Sequence, residues 1–185
     1  NGLRSGLLFT ADPYSKVLDA QDWDTELLFG DAATVTWLAE RPVYRCLPAM
    51  FGSDGSMGHS IAVAEAGGRL RMLGSNVFKF SMTAVPAQVQ AYLARENLSP
   101  QDIDLFLFHQ GSRFIVDNLT RKLELPPEKV PFEAAQTGNT VSSSLPLMLE
   151  HRMDVPLRRV LLSGFGVGLS WATMLLESCS TNTED

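Results

Sequence analysis

The order of hydrophobic and polar residues along the chain predicts short strands that alternate with helices. Apolar runs bounded by glycine or polar residues are typical of strands. The runs interpreted as strands are residues 5–12, 27–40, 67–74 and 103–109. The first is expected to be buried, and the second predicts either one strand or a strand-turn-strand. Residues 158–178 predict two more strands around three alternating glycines, and residues 125–132 a loop that enters a short strand.

Three segments carry the spacing of amphipathic helices instead. Apolar residues recur at helical intervals over residues 75–97, which predicts one long helix despite Pro86. A second helix is expected over residues 112–123, and a serine-rich third over residues 141–152, after a helix start or turn at 99–102. This alternation of strands and helices predicts one α/β domain over residues 1–176, followed by a polar tail over 177–185.

Composition limits the classes of function. Of the 185 residues, 45% are hydrophobic and 19% are charged, which is typical of a globular domain with a sizeable core. The formal net charge of −6 argues against general binding of nucleic acid. Cys46 and Cys179 lack metal-ligand spacing, so no metal site is predicted. With no membrane-length apolar stretch and no secretory signal, a cytoplasmic protein without a membrane partner is the default.

Candidate chemistry lies at three turns. His109 ends a strongly apolar run, and ligands bind at the carboxyl ends of strands in α/β sheets, although a lone histidine there also serves simply to cap the strand. Asn139 precedes the serine-rich helix, where turn and N-cap chemistry is the simple alternative. Gly164, Gly166 and Gly168 lack the spacing of a dinucleotide loop, so we favour close backbone approach to a site over nucleotide binding.

Six motifs taken in order are more specific than any single turn: FGDAATVTWL, SDGSMG, LGSNVFKF, DIDLFLFHQGSRFIVDNLTRKL, GNTVSSSLPLML and GFGVGLSWA. Over nearly the whole chain they resemble the C-terminal half of β-ketoacyl-acyl carrier protein synthase III, a family of the thiolase superfamily. The resemblance implies a thiolase-like α/β fold. The chain would then form one αβα-layered half of a five-layer αβαβα sandwich.

The resemblance also implies an activity, the decarboxylative Claisen condensation of an acyl thioester with malonyl-acyl carrier protein in fatty acid biosynthesis. Coenzyme A or phosphopantetheine thioesters would be substrates, and no other cofactor is implied. The residues implicated are His109 and Asn139 as catalytic groups, the backbone of Val167 in an oxyanion hole, Gly74, Phe78 and Ser112 along the substrate channel, and Lys79, Arg113, Arg121 and Lys122 for docking of the acidic carrier protein.

The family's nucleophilic cysteine lies in its N-terminal half, before residue 1 of this chain. Cys46 lies in a strand-like segment and Cys179 at the edge of the tail, so neither is assigned this role. We therefore expect the chain to be half of an enzyme, inactive alone and partnered by that half, with a homodimer as the full-length protein. Ala32 replaces a usual glycine, and Ser112 an asparagine that lines the pantetheine channel.

Two alternatives remain beside condensation. In an acyltransferase without decarboxylation, His109 would be a general base. A non-catalytic partner subunit is the other, although such a subunit has no need of both His109 and Asn139. The docking cations also have an ordinary interpretation as solvated helix charges, with Asp117 and Arg121 as an i,i+4 ion pair. The family's additional docking arginine aligns with Phe114, and Arg113 is shifted by one position.

Overall fold

The computed structural model describes residues 4–63 and 68–179, so most of the predicted polar tail lies outside the described residues. The strands are β1 (Ser5–Ala11), β2 (Ala33–Ala39), β3 (Tyr44–Cys46), β4 (Met50–Ser53), β5 (Ile61–Val63), β6 (Leu70–Met72), β7 (Leu105–Phe108), β8 (Arg159–Gly166) and β9 (Ser170–Ser178). The helices are α1 (Trp23–Glu26), α2 (Gly74–Arg95), α3 (Arg113–Lys122) and α4 (Ser144–Glu150). None of these helices is both long enough and apolar enough to cross a membrane.

The main sheet has the strand order β3-β9-β8-β7, and β4 joins the same sheet by pairing with β9. Strands β7 and β8 run parallel, while the other pairs in this sheet are antiparallel. All four residues of β7 are buried because helices cover both faces of the sheet. Phe106 and Phe108 pack in the cluster formed with α2 and α3, and Leu105 and Leu107 pack in the cluster with α4. The described chain therefore contains the predicted αβα layers.

The long helix α2 forms as the periodicity predicts, with Pro86 buried inside it. Helix α3 begins where Ser112 accepts a hydrogen bond from the Ile115 N–H, so the predicted start at residue 112 is the helix cap. The predicted turn at residues 99–102 is a 3₁₀ turn closed by a capping box between Ser99 and Asp102. These segments follow the sequence because their signals are local.

Two expectations for strands are wrong. Strand β1 forms, but it pairs with β2 alone and stays exposed: Phe9 is 70% exposed and Trp37 of β2 is 72% exposed. An apolar run predicts a strand, but burial also needs a layer to cover it, and no described layer covers the face that carries Leu7, Phe9, Val35 and Trp37. Residues 125–132 form a 3₁₀ turn at Pro127–Lys129 instead of entering a strand. Pro126, Pro127 and Pro131 lack the N–H groups that a strand ladder needs.

Strand β9 continues past residue 176, the predicted end of the domain, as far as Ser178. Glu177 lies in β9 and forms ion pairs with Arg45 at 2.8 Å and with Arg159 at 3.0 Å. The hydrogen bonds from these two guanidinium groups lower the pKa of the Glu177 carboxyl. The boundary between domain and tail remains a prediction, and the ordered strand extends to Ser178.

Tyr92 of α2 closes a gap at the outer edge of β9. The chain leaves that edge after β3, at Pro48 and Ala49, and returns as β4. The N–H of Leu175 faces this interruption and donates to the buried Tyr92 hydroxyl at 2.9 Å. The helix thereby supplies an acceptor that the broken edge strand does not.

Replacing Tyr92 by Phe tests this contact. The change leaves the buried Leu175 N–H without its acceptor, which we expect to lower the free energy of unfolding by about 1–3 kcal/mol. The matched control is Tyr44→Phe, because the hydroxyl of half-buried Tyr44 makes a longer, 3.3 Å bond to the Leu157 carbonyl that water can replace. Urea unfolding of both variants measures the difference, and equal losses would contradict this account.

Candidate active site

His109 follows β7 directly and lies at the carboxyl end of that strand. Its N–H donates to the Ser163 carbonyl of β8 at 2.9 Å, which continues the parallel pairing by one residue. The imidazole meets the Phe165 ring edge to face, with 5.4 Å between ring centroids and an interplanar angle of 85°. The two central strands therefore fix both the backbone and the ring of His109.

The surroundings of His109 keep its ring neutral. Burial lowers the pKa of the imidazole to about 4, and the backbone of Val141 opposes this shift without cancelling it. One ring nitrogen, Nδ1, lies 2.9 Å from the Ser144 hydroxyl. The other, Nε2, makes no hydrogen bond within the described residues and is left for a ligand. At neutral pH the ring can donate or accept a hydrogen bond, but it carries no charge.

Asn139 is held through its backbone by the segment before β2. Its N–H donates to the Leu28 carbonyl at 2.7 Å, and its carbonyl accepts the Gly30 N–H at 3.0 Å. This is an isolated parallel bridge centred on Phe29. The bridge connects the FGDAA motif to the GNT motif. Sequence reasoning missed this contact because neither motif contains a signal that predicts pairing with the other.

Two glycines make this close approach of backbones possible. A Cβ on Gly30 would overlap the Thr137 carbonyl oxygen, and a Cβ on Gly138 would lie 2.9 Å from the backbone carbon of Phe29. Gly138 also has a φ of +69°, a conformation that side chains disfavour. The glycines are therefore required by the position of Asn139.

The side chain of Asn139 meets the surroundings of His109 at Val141. The Asn139 Oδ1 accepts the Val141 N–H at 2.9 Å, while the Val141 carbonyl lies 3.0 Å from the Ser144 hydroxyl that contacts His109. Val141 has a φ of +53°, which is strained for a β-branched residue. Asn139 is 8% exposed, and its Nδ2 group makes no hydrogen bond within residues 4–63 and 68–179. The two predicted catalytic side chains thus come together around one residue.

Val167 lies in the three-residue turn between β8 and β9 and is 50% exposed. The turn is tied to the SDGSMG motif, since the Leu169 N–H donates to the Asp54 carbonyl at 3.1 Å and the Asp54 N–H donates to the Leu169 carbonyl at 2.8 Å. An open depression of about 670 Å³ borders this hairpin, lined in part by Phe51, Phe165 and Trp171. The glycine-rich segment therefore lies beside His109, because its Phe165 ring packs against the imidazole.

The three residues predicted to line a channel lie on α2 and at the start of α3. Gly74 is the exposed first residue of α2, and a Cβ there would meet open space. Phe78, one turn further, pairs with Phe114 of α3 at 5.0 Å between ring centroids. Ser112 uses its oxygen to cap α3, with 3.2 Å to the Ile115 N–H, and keeps its hydroxyl hydrogen for another partner.

The four predicted docking cations are exposed but fall into two groups. Lys79 and Arg113 flank the Phe78–Phe114 pair, and the Arg113 guanidinium lies 4.4 Å from the Phe132 ring centroid. Arg121 and Lys122 lie at the other end of α3, about 12 Å from Arg113 along the helix axis.

The expected ion pair between Asp117 and Arg121 is wrong. The Arg121 guanidinium turns back onto its own helix instead, where it donates to the Asp117 carbonyl at 3.3 Å and to Asn118 Oδ1 at 3.1 Å. A backbone carbonyl and an amide oxygen thus take the donors that the i,i+4 rule assigned to the carboxylate.

Two further polar residues support the site, although sequence reasoning did not select them. Gln110 is buried, with its amide nitrogen 2.9 Å from the Phe108 carbonyl and its oxygen 2.9 Å from the Glu133 N–H. Gln110 therefore stabilises the turn that carries His109. Ser144 is buried beside the imidazole. The signals were present as the glutamine after His109 and the serine run after Asn139, but composition alone does not distinguish them from packing residues.

Neither cysteine lies near His109. Cys46 pairs with Leu176, which is level with Val160 and Leu105 across the sheet. His109 is four residues further along β7, so the two positions differ by about 13 Å along the strands and about 14 Å across three strand spacings. Cys179 lies beyond the end of β9, further still from the carboxyl end of β7.

Two family models match the chain. The model described as 3-oxoacyl-[acyl-carrier-protein (ACP)] synthase III C terminal matches residues 93–178, which include His109, Asn139 and the glycine-rich hairpin. The model described as 3-oxoacyl-[acyl-carrier-protein (ACP)] synthase III matches residues 1–55. The chain belongs to the 3-oxoacyl-[acyl-carrier-protein] synthase III family.

Relatives in the synthase III family agree with this assignment. A β-ketoacyl-[acyl-carrier-protein] synthase III of Lactococcus lactis is 31% identical over 92% of this chain and 58% of its own length. A crystal structure of a 3-oxoacyl-(acyl-carrier-protein) synthase III is 36% identical, with a TM-score of 0.87 over 94% of this chain and 60% of that one. The enzyme from Pseudomonas aeruginosa is 30% identical, with the same TM-score over 96% and 59%.

These comparisons confirm the predicted thiolase-like α/β fold. They also give the extent of the match: the chain spans 58% to 60% of the length of the synthase III relatives named above.

The close approach at Gly30 leads to a test on the full-length protein. In Gly30→Ala the new methyl group forces residues 28–30 away from Asn139, so we expect the free energy of unfolding to fall by about 1–3 kcal/mol. Gly55→Ala is the control, because a Cβ on Gly55 meets nothing within 4 Å. Thermal or urea unfolding measures both variants, and a Gly30→Ala protein as stable as the control would refute the close approach.

Proposed function

We propose that the protein to which this chain belongs is a 3-oxoacyl-[acyl-carrier-protein] synthase III, which performs a decarboxylative Claisen condensation. One observation carries the proposal: His109 and Asn139 meet around Val141, and Nε2 of one and Nδ2 of the other have no partner within the described residues. Two neutral donor groups attached to one hydrogen-bonded unit suit an oxygen on which negative charge develops, and we expect both to face it.

The proposed reaction proceeds through the malonyl thioester. Cleavage of its bond to the carboxylate releases carbon dioxide and leaves the electron pair as an enolate on the thioester oxygen. Hydrogen bonds from His109 Nε2–H and Asn139 Nδ2–H stabilise that oxygen. The carbon end of the enolate then attacks the carbonyl carbon of an acyl group held on a cysteine. A carbon–carbon bond forms, and the cysteine thiolate leaves.

Fixed neutral donors fit this chemistry better than a base does. A general base is most effective when its pKa lies near the working pH. Burial holds the pKa of His109 at about 4, so its ring is a weak proton acceptor at neutral pH. This favours condensation over an acyltransferase in which His109 would remove a proton from an amine or a hydroxyl.

The remaining site residues take supporting roles in the proposal. The backbone N–H of Val167, on the hairpin beside Phe165, would contribute to an oxyanion hole for the acyl thioester in the other half-reaction. Gly74, Phe78 and Ser112 would line the channel for the phosphopantetheine or coenzyme A arm. No metal or redox cofactor enters the reaction as proposed.

The nucleophile in this proposal lies outside the 185 residues. Cys46 is too far from His109, and burial raises the pKa of its thiol, which disfavours the thiolate. We propose that the exposed apolar face of the β1–β2 pair packs against the part of the protein that supplies the cysteine, and that these 185 residues alone do not condense substrates. We also propose that the full-length protein is a cytoplasmic homodimer with no nucleic-acid or membrane partner.

Variants of the full-length protein at His109 and Asn139 test the function. We expect His109→Ala and Asn139→Ala each to lower the condensation rate by about 100-fold or more, because each removes a donor to the developing charge. Acylation of the cysteine should change little. Exposed His59 supplies the control variant His59→Ala, which should keep both rates.

The measurements are carbon dioxide release from a malonyl thioester and the rate of acyl-enzyme formation from an acyl-coenzyme A. Equal loss in both half-reactions would assign the two residues a structural role and contradict the proposal. Retained condensation in either variant would contradict it as well.

The exposed cations support a proposed partner, acyl carrier protein. Lys79 and Arg113 lie beside the Phe78–Phe114 pair at the predicted channel, and Arg121 and Lys122 extend the positive charge along α3. A local basic strip can attract an acidic partner even though the chain carries a net charge of −6.

Charge reversal separates docking from an ordinary solvated surface. In Arg121→Glu/Lys122→Glu we expect a several-fold higher KM for a carrier-protein substrate and an unchanged KM for the matching coenzyme A thioester. Arg71→Glu, which reverses an exposed charge on β6 rather than on α2 or α3, is the control. If both classes of substrate respond alike, α3 does not dock the carrier protein.

A further inference from the structure

Ser144 is the polar residue in direct contact with the imidazole of His109. It is 4% exposed, at the first position of α4. Its hydroxyl oxygen lies 2.9 Å from His109 Nδ1 and 3.0 Å from the Val141 carbonyl. A hydroxyl has one hydrogen, so it can donate to one of these two neighbours at a time.

The direction of that hydrogen is linked to the tautomer of His109. When the hydroxyl donates to the Val141 carbonyl, Nδ1 must carry the imidazole hydrogen and donate it to the Ser144 oxygen, and Nε2 is then a bare acceptor. When the hydroxyl donates to Nδ1, the imidazole hydrogen lies on Nε2. The second arrangement alone gives the ring a donor at Nε2.

The backbone allows the hydroxyl to turn at low cost. The Val141 carbonyl already accepts the N–H of Ser144, so it remains hydrogen-bonded when the hydroxyl turns away. Because every buried group is paired in both arrangements, a small preference at Nε2 decides between them. An oxygen with developing negative charge supplies that preference, because it accepts a hydrogen bond and repels a lone pair.

We propose that Ser144 is a positioning residue that holds the hydrogen of His109 on Nε2 by donating its hydroxyl to Nδ1. The catalytic purpose assigned to this tautomer rests on the proposed function. The contact between Ser144 and His109 does not depend on that function. Without the hydroxyl, the polar neighbour left at the ring is the backbone of Val141, whose carbonyl can only accept. The ring would then keep its hydrogen on Nδ1 and present a lone pair to the substrate.

The test uses the full-length protein with ¹⁵N-labelled histidine. In the wild type with a bound malonyl thioester analogue that cannot lose carbon dioxide, long-range proton–nitrogen spectra should show Nε2 of His109 as the nitrogen that carries hydrogen. In Ser144→Ala the hydrogen should move to Nδ1. Ser143→Ala is the matched control: Ser143 is also fully buried, but its hydroxyl contacts Thr10, 2.8 Å away, and makes no contact with His109. This control should keep the wild-type tautomer.

Steady-state kinetics of the same variants provide a second test. We expect Ser144→Ala to lower kcat for condensation by about 10- to 100-fold, with KM and the acylation rate changed by less than about twofold. Ser144→Thr, which keeps a hydroxyl, should restore most of the rate. A circular dichroism spectrum and melting temperature close to those of Ser143→Ala would show that the fold is intact.

Each outcome decides the inference separately from the function. An unchanged tautomer in Ser144→Ala, or a wild-type ring with its hydrogen on Nδ1, overturns it. Loss of acylation equal to loss of condensation also overturns it, since that indicates a structural role. If the protein releases no carbon dioxide from a malonyl thioester while the tautomer still responds to Ser144→Ala alone, the proposed function fails and the role of Ser144 in setting the tautomer stands.

Discussion

The close approach of residues 28–30 to residues 137–139 is the constraint on which the site depends. Glycines at positions 30 and 138 let the two backbones come near enough for Asn139 to be held by paired hydrogen bonds. With Asn139 fixed, its Oδ1 holds the N–H of Val141, and the Val141 carbonyl holds the serine that contacts His109. A shift of residues 28–30 would therefore be transmitted to both proposed catalytic side chains.

The chemistry follows from what these contacts leave unpaired. The oxygen of Asn139 and Nδ1 of His109 face the protein, so an amide N–H and one imidazole nitrogen remain for substrate. Burial keeps the imidazole uncharged at neutral pH. Donors that are already oriented need no reorganisation when charge develops on a substrate oxygen, which is why such an arrangement contributes more than the same groups in water.

Local patterns were sufficient to predict much of the fold. The periodicity of α2, the apolar run of β7 and the cap of α3 each lie within one segment of sequence, and the structure has them at nearly the predicted positions. The exposure of β1 was not predictable in this way, because burial depends on a covering layer rather than on the strand itself.

The candidate site was selected from the sequence as a set of residues but not as a geometry. Motif order selected His109 and Asn139, whereas their link through Val141 and Ser144 depends on a bridge between residues more than a hundred positions apart. The orientation of Arg121 also escaped prediction, because an asparagine and a backbone carbonyl compete with the carboxylate for its donors.

A crystal structure of the full-length protein with a malonyl thioester analogue that cannot lose carbon dioxide would test the central claim most directly. The account predicts that the thioester carbonyl oxygen lies about 2.7–3.1 Å from both His109 Nε2 and Asn139 Nδ2. A bound analogue whose carbonyl oxygen contacts neither nitrogen, or one that places its carboxylate between them, would contradict it.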